Sequence, residues 1–177
     1  KPDTAMTCAD EAIDLAKQIN WQMGITLAYR HQGYVYYALT DNVNAMVYFL
    51  KALKAGETLK NNFLKASIYN NIANVYADLK NYQVALDYYQ KYLAASVSIK
   101  SQVTEIRALS NIADVHVELN DFSTGLDYYQ RALSIADEAG SKEISAAIYN
   151  NIGETFLKQK DYALAYNYYT KSLQLAN

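Results

Sequence analysis

Shifted by 40 residues, the chain comes into register with itself. Tyr69, Leu109 and Tyr149 then align, followed by Asn71, Asn111 and Asn151 and by Ile72, Ile112 and Ile152. Later in the period Phe49, Tyr89, Tyr129 and Tyr169 fall in step, and Leu53, Leu93, Leu133 and Leu173 form an unbroken leucine column. A constant spacing within roughly 20 to 50 residues means stacked supersecondary units, each too small to bury its apolar face alone. An array is therefore expected in place of a single globular core.

Each copy reads as two helices. In YNNIANVYADL, Tyr69, Ile72, Ala73 and Tyr76 recur at intervals of three and four, which is one stripe of a helix. The second half, ALDYYQKYL from Ala85, returns as AMVYFLKAL from Ala45, GLDYYQRAL from Gly125 and AYNYYTKSL from Ala165. Asp41, Asn81, Asp121 and Asp161 stand between the halves, where a short polar side chain can accept from the free amides of the next first turn. The only proline is Pro2, so nothing breaks a helix downstream, and no β-branched alternation suggests a strand. Breaker or capping residues at Asn20, Asn61, Asn62, Ser101, Gly140 and Ser141 delimit complete repeats at 22–60, 62–100, 102–140 and 142–177. Residues 4–19 align with a second helix alone, a half repeat, which brings the expected total to about nine helices.

Composition narrows the function. With 51% hydrophobic residues the chain is too apolar for disorder, and 16 Lys+Arg against 18 Asp+Glu gives a net charge of -2. That balance removes the attraction on which general nucleic-acid binding depends, so no nucleic-acid partner is expected. No membrane partner is expected for this segment either, because no run approaches the roughly 18 apolar residues of a span and the first residues lack a signal-peptide core. Cys8 is alone, which excludes an internal disulfide or a Cys-based zinc site. The cytoplasm is the expected compartment, with a periplasmic segment of a bacterial sensor as the alternative. Opening on Lys1 and on half a repeat, the chain reads as a processed form or a piece of a longer regulator or adaptor.

The columns resemble the tetratricopeptide repeat. Its first-helix pattern corresponds to Tyr29, Gly33, Tyr36; Tyr69, Ile72, Ala73, Tyr76; Leu109, Ile112, Ala113, His116; and Tyr149, Ile152, Gly153, Phe156. The second-helix pattern corresponds to Ala45, Phe49, Ala52; Ala85, Tyr89, Tyr92; Gly125, Tyr129, Ala132; and Ala165, Tyr169, Ser172. The resemblance covers nearly the whole chain and implies an all-α, right-handed solenoid of antiparallel helix pairs. Three departures stand out: the period is 40 instead of about 34, the terminal proline column holds Glu57, Val97, Asp137 and Asn177, and Tyr92 occupies a normally small position. Helices are therefore expected to run past the lost proline, and Tyr92 to open its junction or bond locally. HEAT-type repeats share the longer period but not the columns. Long repeats of this kind are similar to those of spindle-orientation adaptors, kinesin light chains, bacterial peptide-pheromone receptors and bacterial sensor domains, which hold peptides or proteins.

Catalysis finds little support. His31 and His116 have no companion at metal-ligand spacing, no phosphate loop or nucleophile turn is present, and neither cofactor nor metal is expected. His116 sits in the aromatic packing column and reads as a hydrogen-bonded core ring; His31 lies off that stripe, solvated or in contact with a ligand. In the pairs Tyr88-Tyr89, Tyr128-Tyr129 and Tyr168-Tyr169, one ring is expected to pack inward and the other to snorkel outside, since helix neighbours point about 100° apart.

In the resembled family the first helices line a concave groove. The matching columns here hold Arg30, His31 and Tyr34; Asn70, Asn71, Asn74 and Asp78; Arg107, Ser110, Asn111, Asp114 and Glu118; and Asn150, Asn151, Glu154 and Lys158. A primary amide both donates and accepts, so Asn can pair with both groups of a peptide unit and read backbone irrespective of side chain. The competing role for the column at 71, 111 and 151 is to bond the adjacent helix and set the pitch. Acids outnumber bases in repeats 2 to 4, so the expected partner is a protein or extended peptide carrying basic residues. The alternative function is a structural or sensory segment that associates with itself through uncapped ends.

Overall fold

A computed structural model describes residues 2–176, and the side chains of all of these but residues 2, 3 and 5. The described residues form nine α-helices and no strand: α1 (Pro2–Gln18), α2 (Gln22–Ala38), α3 (Asn42–Ala55), α4 (Asn62–Asp78), α5 (Tyr82–Ser98), α6 (Gln102–Glu118), α7 (Phe122–Glu138), α8 (Lys142–Lys158) and α9 (Tyr162–Ala176). Asn177, the last position of the expected fourth repeat, lies outside the described residues. Two compact units divide the chain, residues 1–95 and 96–177, with the boundary inside α5.

From Gln22 onward a helix begins every 20 residues, and the reason lies in the turns. Each short turn places one residue in the left-handed region: Asn20, Thr40, Lys80, Lys100, Asn120, Gly140 and Lys160. The residue after it returns its N–H to a carbonyl five positions back, as Asp41 does to Tyr36 (3.0 Å), Asn81 to Tyr76 (2.8 Å), Asp121 to His116 (2.9 Å) and Asp161 to Phe156 (2.9 Å). This Schellman closure satisfies carbonyls that the helix end would otherwise orphan. That same residue then starts the next helix. The side chain of Asp41 accepts from the Asn44 amide at 3.0 Å, Asp121 from Thr124 at 3.3 Å and Asp161 from Leu164 at 3.0 Å; in the longer α3–α4 connection, which lacks the left-handed residue, Asn61 accepts from Leu64 at 2.9 Å.

Helices α5 and α7 run past Val97 and Asp137, as the lost proline predicts, but α3 stops at Ala55, short of Glu57. Gly56 follows, with its Cα against Thr26; a Cβ there would meet Thr26 Cγ2 at 3.2 Å and the Ala52 carbonyl at 3.3 Å. Gly is a weak helix former, and this close approach to α2 favours an early end.

In the first unit Ala45, Phe49 and Ala52 of α3 pack against Leu64, Ile68, Ile72 and Val75 of α4. Phe49 is fully buried because Gly33 of α2 makes room: a Cβ at Gly33 would lie 2.5 Å from the Phe49 ring. Burying a ring of that size contributes about 1.5–3 kcal/mol. The second unit repeats the scheme, with Leu109, Ile112, Ala113, Tyr129, Ala132, Ile148 and Ile152 buried. Gly153 faces the Tyr169 ring, where a Cβ would approach to 2.8 Å. Tyr92 is buried, at 3% exposure.

Candidate functional site

In the first unit the candidate residues lie on α2 and α4, which polar bonds tie together. Arg30 Nη1 donates to Ser67 Oγ at 2.9 Å, and the Tyr37 hydroxyl donates to Asp78 Oδ2 at 2.6 Å. Burial, reinforced by Asp78, pushes the Tyr37 phenol far above its ordinary range and keeps it a donor. Asn74 is also engaged, its Oδ1 accepting from the Tyr89 hydroxyl at 2.7 Å. Asn70 is half-buried. Asn71 differs from both. It is 3% exposed, and its Nδ2 has no hydrogen-bond partner.

His31 and Tyr34, on α2, line a cavity of about 700 Å³ against Cys8, Ala9 and Ala12 of α1. Its volume has a cause in the columns: Ala9 stands where later repeats place Phe49, Tyr89, Tyr129 and Tyr169. Partial burial, then the neighbouring Arg30 cation, lowers the His31 pKa and favours the neutral ring at neutral pH. Tyr34 meets Phe49 edge-on, with ring centres 5.7 Å apart.

In the second unit the candidates lie on α6 and α8. The Tyr129 hydroxyl donates to Asp114, a bond between the same columns as Tyr89 to Asn74. Helices crowd Asp114 although it keeps an opening to solvent, and this desolvation raises its pKa, with Glu154 and Glu118 adding to the rise and Tyr129 and Lys158 opposing it. Lys158 of α8 pairs with Glu118 of α6, and Asn150 Nδ2 donates to Glu154 Oε1 at 3.3 Å. Asp114, Glu118, Tyr129, Asn151, Glu154 and Lys158 line a cleft of about 300 Å³. Asn111 is half-buried, and Arg107 is exposed on α6. No group of three or more His, Cys, Asp or Glu among the described residues is placed to hold a metal ion, and no described helix is long and apolar enough to cross a membrane.

Sequence reasoning missed a clasp on another face of each helix pair. Tyr36 stacks on Tyr48 (5.3 Å between centroids), Tyr76 on Tyr88 (5.9 Å), His116 on Tyr128 (5.7 Å) and Phe156 on Tyr168 (5.4 Å). Over the second ring of each sits a cation: Lys51 and Lys91 at 4.5 Å, Arg131 at 4.9 Å and Lys171 at 4.8 Å. The outer tyrosines of the Tyr-Tyr pairs are thus stacked, and the signal was the basic residue three positions after each of them. His116 belongs to this clasp, with Nδ1 3.1 Å from Asp121 Oδ2; it is hydrogen-bonded as expected, but half-buried.

Helix pairs repeated at one period, closed by one turn type and packed through small-against-aromatic columns, define a helical-repeat scaffold. The tetratricopeptide repeat model matches residues 24–96 and 104–177. The chain belongs to that family.

Solved structures share its fold. BtubC from P. vanneervenii superposes with a TM-score of 0.83 at 17% identity, over 99% of this chain and 73% of that one. A signal transduction ATPase with a tetratricopeptide repeat sensor, from Pyrococcus horikoshii, gives 0.81 at 21% identity, over 98% of this chain and 29% of that one. The Rap conjugation gene regulator of a plasmid, in complex with a peptide, gives 0.78 at 15% identity, over 90% of this chain and 44% of that one. No curated protein matches the chain in sequence.

Proposed function

We propose that this chain is a non-catalytic protein-binding scaffold whose Asn-bearing first helices hold an extended peptide segment, as part of signalling or assembly. The observation that carries the reading is Asn71, a buried amide whose Nδ2 lacks a partner. An orphaned buried donor costs about 1–3 kcal/mol, and since Asn71 Nδ2 is closed to solvent, a peptide carbonyl recovers that cost only by parting the side chains that cover it. The fold shared with a Rap regulator in complex with a peptide supports the same reading. In the second unit Asp114, Glu118 and Glu154 outnumber Lys158 around the cleft, which favours basic residues in the segment it holds.

Asn71→Ala combined with Asn111→Ala is expected to weaken binding from a peptide library about tenfold with helicity unchanged, the loss of one to two hydrogen bonds. Unchanged affinity would sink the reading. Exposed apolar side chains favour self-association as a second reading: Leu15 (62%) and Ile19 (71%) on and beside α1, Tyr166 (75%) and Leu173 (64%) on α9. Sedimentation of the wild type beside a variant with Leu15→Lys and Leu173→Lys separates the two. Concentration-dependent association that the variant lacks supports self-assembly.

A further inference from the structure

Helix α1 aligns with the second helices but lacks the side chains with which they grip their first helix. Cys8 stands in the column of the stacked rings Tyr48, Tyr88, Tyr128 and Tyr168, and Ala9 in that of Phe49, Tyr89, Tyr129 and Tyr169. Glu11 stands in the column of the cations Lys51, Lys91, Arg131 and Lys171. Both rings and the cation are thus exchanged together, on one helix.

The cavity of about 700 Å³ between α1 and α2 is walled by columns that other repeats close. Ala12 is exposed, whereas Ala52, Tyr92 and Ala132 are at most 3% exposed and Ser172 is half-buried. Val35 is half-buried, whereas Val75, Val115 and Thr155 are closed. One repeat later in the same unit, what covers Val75 is a helix pair: Ala45, Phe49 and Ala52 of α3 share its cluster, with Met23 and Tyr37 of α2 packed against it. The α1–α2 surface continues that interface and has the shape to receive a helix. Leu15, 62% exposed, carries the stripe of Cys8 and Ala12 one turn further. The charge on α1 narrows the choice of helix. Glu11 and Asp14 are exposed, and the one ion pair they make is Asp14 to Lys17 at 4.0 Å. The chain's own first helices would fit poorly, because Gly33, Ala73, Ala113 and Gly153 are small residues set against a ring, and against Ala9 they would leave the cavity open. The complementary helix has a bulky apolar side chain at that point and a basic flank along Glu11 and Asp14.

We infer that α1 and α2 dock a basic amphipathic helix of a partner protein, with a bulky apolar residue of that helix entering the cavity beside Ala9. The site does not depend on the extended-peptide reading, since neither Asn71 nor Asn111 lines the cavity.

Fluorescence polarisation with labelled helical peptides of roughly 18 residues, five turns, tests this. Each carries an apolar stripe at intervals of three and four with Leu, Met or Phe at its centre, flanked by Lys in one set and by Glu in the control set. Wild type should bind at least one Lys-flanked peptide roughly tenfold or more tightly than its Glu-flanked control. Glu11→Lys combined with Asp14→Lys, both at exposed positions, should bring that ratio to one or below. Ala9→Phe restores the ring of the column and fills the cavity, and should weaken the peptide about tenfold; Leu15→Gln, at an exposed position, should weaken it as well. Circular dichroism establishes that each variant is folded. Failure of every Lys-flanked peptide to bind, equal binding of the two sets, or binding that survives both Ala9→Phe and Leu15→Gln overturns the docking site. Sedimentation that shows wild type self-associating and Ala9→Phe monomeric overturns it too, because the occupant is then a second copy of this chain.

Discussion

The two units are built from the same columns, yet they leave their polar groups in different states. In the second, Tyr129 bonds Asp114, Lys158 pairs with Glu118, Asn150 bonds Glu154 and Ser145 donates to Asp137 at 2.6 Å. In the first, the side-chain atoms Arg30 Nε, Gln32 Oε1 and Asn71 Nδ2 are buried with no partner. Repetition therefore fixes the backbone and the apolar contacts, while departures from a column, at Arg30 and Gln32, and local surroundings, at Asn71, decide where polar capacity is left unspent. A scaffold can hold a constant frame and vary its recognition in this way.

The frame is best challenged at the aromatic column. Phe49→Ala in the first unit should cost about 3–5 kcal/mol, because the ring is fully buried against Gly33 and α2 cannot collapse onto the space. Its counterpart Tyr169→Ala should cost about half as much, since Tyr169 is only half-buried. Urea denaturation measures both. Equal losses would show that the columns are not graded by burial.

Gln32 offers a smaller effect of opposite sign. It is fully buried in the column that holds Ile72, Ile112 and Ile152, and its Nε2 donates to Asp10 at 2.6 Å while Oε1 bonds nothing. Gln32→Ile makes the first unit conform to its column, and Asp10 is exposed and can hydrate instead. A gain of about 1–2 kcal/mol is expected from removing the orphan and adding apolar contact. A loss would show that the Gln32–Asp10 bond outweighs the unmet acceptor.

These cases mark what the sequence made legible. The period placed the helices, and Asp41, Asp121 and Asp161 between the halves placed three of the caps. All of these are local or recur at a fixed step, so alignment exposes them. Gln32 was aligned with isoleucines too, but its unmet oxygen depends on where Asp10 lies on a different helix. Likewise Asn74 and Asp114 sat among the groove candidates, and only packing shows each taking a bond from a tyrosine 15 residues later. The end of α3 at Ala55 and the cavity beside Ala9 follow from Gly56 and Ala9, single departures whose effect is set by neighbours far along the chain.

The Asn74 and Asp114 pair also allows one unit to be converted toward the other. Because the folded-state pKa of Asp114 is raised, the folded state binds more protons than the unfolded chain just above the ordinary aspartate value of ~3.9. Stability from this group therefore falls as pH rises through that window and is recovered on acidification. Asp114→Asn keeps an acceptor for Tyr129 and removes the titration. The difference in Tm between variant and wild type should favour the variant at pH 7 and shrink toward pH 4, by less than the Gln32 effect because Asp114 retains solvent access. A difference independent of pH would assign the raised pKa no part in stability.

The smallest effect separates the clasps. Lys91 in the first unit and Arg131 in the second both lie over a tyrosine that stacks on the preceding helix, but the stacked partner is Tyr76 in one and His116 in the other. A cation over an exposed ring contributes about 0.5–1 kcal/mol, and the stem of either residue also covers the ring edge. Methionine keeps much of that coverage and removes the charge, so Lys91→Met and Arg131→Met should each lose about 0.5 kcal/mol. Combining Lys91→Met with Tyr88→Leu isolates the ring: if the cation acts through it, Lys91→Met should cost nothing once Tyr88 is gone. Should the cost persist in that background, the lysine is acting through something other than the tyrosine, and the four aligned cations are not one repeated device.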